Sequence, residues 1–175
     1  TDALGVTSSA IAWVVSAYLI AISATILVFG KLGDIWGQTK IFQIGLVIFT
    51  IGSFLCGITD SFGWLLVARI IQAVGASGTM ANSQGIITRT FPVEVRGRAL
   101  GINGAFVALG TLAGPPLGGL IVSVASWEYL FWINVPIGII VFLIGLRIFP
   151  KTAEVSENTK MDVRGALLFT AAIVP

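Results

Sequence analysis

Apolar residues in this chain run in blocks of membrane length, and polar residues collect between the blocks. The blocks fall roughly at 11–30, 41–58, 64–87, 99–124 and 129–148, and a further one starts at 165 and runs to 175. A block of about 20 residues spans a hydrocarbon core of about 30 Å at 1.5 Å per residue. Such runs are too long for strands, and a sheet edge facing lipid would leave backbone N–H and C=O groups unpaired. The pattern predicts an all-α membrane protein. It has five spanning helices, a polar connection over 149–164, and the start of the next helix at 165–175.

Composition agrees with that pattern. Of 175 residues, 56% are hydrophobic and 10% charged, where a soluble domain carries about 25% charged residues. The 21 glycines suit membrane helices, whose backbones approach closely over small residues. There is no histidine, so the usual metal ligand and general base are absent. The single cysteine, Cys56, lies inside an apolar block and can form no intramolecular disulfide. The net charge of +2 does not point to nucleic acid, because the basic residues sit in short connections rather than on one soluble face.

The placement of those basic residues predicts sidedness. Lys31 and Lys40 follow the first block, and Arg89, Arg96 and Arg98 follow the third. Arg147, Lys151, Lys160 and Arg164 lie at or after the end of the fifth. The N-terminal stretch and the 59–63 and 125–128 turns hold Asp2, Asp60 and Glu128 but no Lys or Arg. By the positive-inside rule, segments 31–40, 88–98 and 149–164 are cytoplasmic. Thr1 then lies outside. With no basic n-region of a signal peptide, this predicts an upstream helix, and hence a chain that is part of a longer protein.

Four segments carry candidate chemistry. The first joins blocks one and two: Gly30, Lys31, Leu32, Gly33, Asp34, Ile35, Trp36, Gly37, Gln38, Thr39, Lys40. Glycines permit a sharp reversal and close helix approach, and Asp34 can meet a basic residue or a helix N-terminus. An ordinary charged loop is the plainer reading. The second is Arg69 with Gln72 and Gly75. A charge at mid-membrane costs about 2.5–3.5 kcal/mol on insertion scales, so Arg69 either snorkels to the outer headgroups or faces a cavity and pairs with a carboxylate. At 100° per residue Arg69, Gln72, Gly75, Ala76, Thr79, Asn82 and Ser83 share one side. That small, polar side suits a water-accessible path.

The third segment is Gly110, Thr111, Leu112, Ala113, Gly114, Pro115, Pro116, Leu117, Gly118, Gly119. Gly110, Gly114 and Gly118 recur every four residues and form a smooth face on which another helix can pack. Pro115 and Pro116 remove backbone donors and predict a kink. The fourth runs from Trp127 to Gly138, where Trp127, Tyr129 and Trp132 suit the outer interface.

These segments resemble the major facilitator superfamily. Gly30, Gly33, Asp34, Gly37 and Lys40 fit its signature loop between second and third helices, while Ile35, Gln38 and Thr39 stand where basic residues are usual. The implied role is a conformational latch centred on Asp34. Leu66–Gly75 is similar to the fourth-helix motif, which implies that Arg69 and Gln72 couple transport to proton movement. Gly110, Gly114, Pro115, Gly118 and Gly119 match the fifth-helix antiporter motif, which in the family marks exporters that exchange substrate for protons. Trp13–Leu19, Trp127–Gly138 and Lys160–Leu168 resemble segments of the drug:proton antiporter branch with fourteen helices. The resemblance implies an incomplete six-helix half of a facilitator bundle, lacking its first helix and the C-terminal half.

No phosphate-binding loop, zinc pattern or nucleophile elbow occurs in the sequence. The expectation is a transporter of the plasma membrane, not an enzyme, with no cofactor and no metal. Its partners would be lipid, protons and a small-molecule substrate, with no nucleic acid. Efflux of amphipathic compounds is the first reading. Import or uniport of a nutrient or metabolite is the second, and a non-transporting sensor or scaffold the third.

Overall fold

A computed structural model describes residues 8–149. The chain is built of α1 (Ser8–Trp36), α2 (Gln38–Gly57), α3 (Phe62–Thr90), α4 (Val93–Val124), α5 (Tyr129–Trp132) and α6 (Asn134–Ile148). Five helical stretches are long and apolar enough to cross a membrane, with α5 and α6 counting as one, Tyr129–Ile148. The expected connection at 149–164 and helix start at 165–175 lie outside the described residues, apart from Phe149.

The polar segments expected as loops are largely helical. The segment 31–40 belongs to α1 and α2 except for Gly37, and 88–98 belongs to α3 and α4 except for Phe91 and Pro92. At 29 residues α3 is about 44 Å long, and at 32 residues α4 is about 48 Å. Both outrun a core of about 30 Å. Helices of that length can carry their charged ends past such a core without a break in the backbone hydrogen bonds.

The two interruptions have local causes. At Gly37 the backbone takes φ 96° and ψ 127°, a region that glycine enters without a Cβ clash. Gly37 N–H still donates to Gly33 O at 3.0 Å, and Ile41 N–H to Gly37 O at 3.1 Å, so one residue makes the turn. Gly37→Ala is expected to destabilise the protein by about 1–3 kcal/mol, read as a lower melting temperature of the purified full-length protein. An unchanged value would show that the junction relaxes. Between α3 and α4, Pro92 disfavours helical backbone at the residue before it, and Phe91 sits at φ −101°, ψ 136°.

Pro115 and Pro116 do not end α4, which runs through both. Pro136 does leave a break, between α5 and α6. It has no N–H to give Trp132 O, so the ladder lapses at Ile133, whose φ of −62° and ψ of −29° stay helical.

The tightest packing is between α2 and α3. A Cβ on Gly45 would lie 2.8 Å from Gly75 O, and one on Gly52 would lie 2.6 Å from the Cα of Gln72. Backbone meets backbone there, which only glycine permits. One turn beyond the Gly52–Gln72 contact, Cys56, Leu65 and Ala68 form a small buried cluster that Val14, Leu55, Trp127 and Phe131 cover. Trp132 packs against α2. Its Nε1–H donates to Gly57 O at 2.9 Å and its ring stands edge-on to Phe54. By contrast α4 has no buried residue, and Leu112 is 76% exposed. Such apolar exposure suits hydrocarbon rather than water.

Candidate functional site

The strongest chemical feature is built around Arg69 on α3. Arg69 and Gln72 are three residues apart, hence neighbours on the helix surface, and Arg69 Nη1 donates to Gln72 Oε1 at 2.8 Å. That bond fixes the amide, because a guanidinium only donates. Gln72 Nε2 then donates to Ser53 Oγ on α2 at 2.7 Å, and Ser53 Oγ–H donates to Phe49 O at 2.8 Å. Gln72 is 2% exposed and Ser53 0%, so this relay ties α3 to α2 inside the bundle.

Two aromatic rings complete the setting. The guanidinium carbon of Arg69 lies 4.4 Å from the Tyr18 ring centre on α1 and 5.4 Å from that of Phe131 on α5. Ring faces attract a cation, the more so away from water. Among the described residues the only ion pair is Arg89 with Asp34, so no carboxylate there meets Arg69. Its Nε is buried without a hydrogen-bond partner. Half-buried Arg69 is therefore held against α1 and α5 as well as its own helix, with its Nε donor buried and unused.

Most of the polar side that sequence spacing assigns to a water path is packed against protein. Gln72, Gly75, Ala76 and Asn82 are buried. The glycines of α2 bring that helix down on this side of α3, so no room for water is left between them. Thr79 and Ser83 line an open groove of about 290 Å³, but its other walls are Phe42, Leu46, Phe49, Ala76 and Met80.

The second cluster lies at the other end of α3. Gly30, Gly33 and Asp34 are in the last turns of α1, Gly37 is the turn, and Lys40 is in the first turn of α2. Asp34 Oδ1 lies 3.8 Å from Arg89 Nη2 and accepts from Gln38 Nε2 at 3.4 Å. Both members of the ion pair are nearly half exposed, and such pairs contribute about 0–1 kcal/mol. Arg89 and Arg69 are 20 residues apart on one helix, about 30 Å. Thus α3 carries both clusters rigidly.

The glycine–proline segment of α4 joins neither cluster. A Cβ on Gly110, Gly114 or Gly119 would meet nothing within 4 Å, and one on Gly118 only Leu130 Cδ2 at 3.7 Å. The face is open among the described residues. Sequence reading missed Tyr18, Ser53 and Phe131 as companions of Arg69. No local pattern marks them, since Tyr18 and Phe131 reach Arg69, and Ser53 reaches Gln72, from other helices.

The chain is similar to several known proteins. The chain is 45% identical over 163 residues to the riboflavin transporter RibZ of Clostridioides difficile (strain 630), covering 93% of this chain and 36% of that protein. It is 37% identical over 163 residues to multidrug resistance protein 3 of Bacillus subtilis (strain 168), covering 93% and 32%. Among solved structures it aligns with a bacterial homologue of the human lysosomal transporter Spinster, in an inward-facing and occupied conformation. That match has a TM-score of 0.49 and 21% identity, over 85% of this chain and 45% of that one. The chain spans about a third of the length of these two curated relatives. The family profile described as Major Facilitator Superfamily matches residues 1–173, and this multi-pass membrane chain belongs to the major facilitator superfamily.

Proposed function

We propose that this chain is part of a secondary transporter that exports amphipathic compounds in exchange for protons by alternating access. Transport, not catalysis, is the proposed activity. The observation that carries the reading is Arg69, a cation within an apolar span, held by Gln72 and two aromatic rings with its Nε unused. A half-buried cation of that kind biases the protonation of any carboxylate brought to it. A carboxylate elsewhere in the transporter that gains and loses a proton beside Arg69 would couple proton movement to shape change. The antiporter-like segment Gly110–Gly119 and the resemblance to the fourteen-helix drug:proton branch support export. So does the 37% identity to a multidrug resistance protein. The end bearing Lys31, Lys40, Arg89, Arg96, Arg98 and Arg147 would face the cytoplasm, in a plasma membrane.

A second reading is transport of a nutrient or metabolite. The 45% identity to a riboflavin transporter favours it.

Inverted vesicles carrying the full-length transporter separate the two. Ethidium should accumulate when the lumen is made acidic, and a protonophore should release it. Riboflavin flux without ethidium flux would establish the second reading. Ethidium accumulation that ignores the pH gradient would remove proton exchange.

A further inference from the structure

Two carboxamides near Asp34 lie on glycines of neighbouring helices. Asn82 of α3 is 1% exposed. Its Nδ2 donates to Gly78 O at 2.9 Å on its own helix and to Phe29 O at 3.2 Å on α1. Its Oδ1 has no hydrogen-bond partner and occupies the place a Cβ on Gly33 would take. Gln38 of α2 donates to Asp34 Oδ1 and lies in the same way on Gly85 of α3, where a Cβ would be 2.5 Å from its Cδ.

The backbone does not require glycine at position 33. Among the described residues only Gly37 has a positive φ. The requirement comes from Asn82, since the three atoms nearest a Cβ there all belong to it, the third at 3.3 Å. A buried amide is also a selective contact. Apolar surfaces can slide past one another by a residue, but a slide of 1.5 Å takes Nδ2 away from Phe29 O and drives Oδ1 off its glycine. Buried polar groups are well attested as setters of helix register. Arg89 stands seven residues beyond Asn82, two turns along and on the same side of α3. The register that seats Asn82 is the one that brings Arg89 to Asp34.

We propose that Asn82 is a positioning residue: seated on Gly33, it fixes α3 against α1 so that Arg89 reaches Asp34. Its functional consequence rests on the reading of the Asp34 segment as a conformational latch. The seat itself does not.

The test uses the full-length transporter in native membranes. Gly33→Ala should lower the amount of folded protein at least tenfold, and adding Asn82→Ala should restore it to the level of Asn82→Ala alone. Register is read separately by oxidative cross-linking. A Cβ on Gly30 lies 3.8 Å from Ala81 Cβ, within the span of a disulfide. In a Cys56→Ser background, Gly30→Cys with Ala81→Cys should cross-link readily, and Asn82→Ala should cut the yield at least threefold. A Gly33→Ala variant at parental level would overturn the proposal. So would a double variant as depleted as Gly33→Ala, or cross-linking that ignores Asn82. Asp34→Asn in the vesicle assay tests the latch by itself. Normal transport there would remove the latch while a positive rescue and cross-link keep the Asn82 seat.

Discussion

Replacing Gly75 with leucine is expected to leave almost no folded transporter in the membrane. A Cβ at that position would strike Phe49 N, and would lie 2.6 Å from both Gly45 O and Phe49 Cα. All three are backbone atoms of α2, so no side chain can swing away. Overpacking a well-packed interior costs about 1–3 kcal/mol and occasionally more, and a rigid helix as the obstacle puts this case at the upper end. The same shift would separate Gln72 from Ser53 and break the relay from Arg69. Fluorescence-detected size exclusion of the detergent-extracted protein checks it. A monodisperse peak at parental height would show that α2 and α3 are less closely bound than the geometry states. Gly114→Leu is the matched comparison. Nothing among the described residues lies within 4 Å of a Cβ there, so any loss it causes reports contact with other parts of the transporter.

Arg69→Ala should have the opposite profile, a folded protein with no pH-driven accumulation. Two terms set its stability. Removing the cation relieves an insertion cost of about 2.5–3.5 kcal/mol. It also leaves Gln72 Oε1 unpaired, which costs about 1–3 kcal/mol for a buried acceptor. These nearly offset each other, while Gln72 keeps its bond to Ser53. Arg69→Lys keeps the charge but not the planar fork that spans Gln72 and lies against two rings. It should retain only part of the flux. The vesicle assay and the size-exclusion profile read the two properties separately. Full ethidium exchange in Arg69→Ala would end the coupling role, and loss of the folded peak would make Arg69 structural.

Much of this was legible in the residue order. Blocks of about 20 apolar residues required spanning helices, because the backbone in lipid must satisfy its own hydrogen bonds. The break at Phe91 and Pro92 lay within the polar segment 88–98, and the Gly37 turn lay within the segment read as the first reversal. Arg69 and Gln72 were a legible pair, since spacing alone sets neighbours on one helix. The charged segments 31–40 and 88–98 were read as loops, however, because polarity marks where a chain leaves the membrane and not where its helix ends.

The sequence by itself determined that small faces exist on several helices, and that one end of the bundle gathers the positive charge. Only the tertiary structure decided which small face meets which neighbour. Spacing made Gly110, Gly114 and Gly118 the obvious contact stripe, yet among the described residues Gly45, Gly52 and Gly75 form the closest contact and the α4 stripe meets almost nothing. The physical reason is the solvent. Lipid tails are as apolar as leucine, so a membrane helix has no polar-to-apolar gradient that points inward. Which side faces protein is settled by contacts between residues far apart in the chain, as Tyr18, Ser53 and Phe131 show around Arg69.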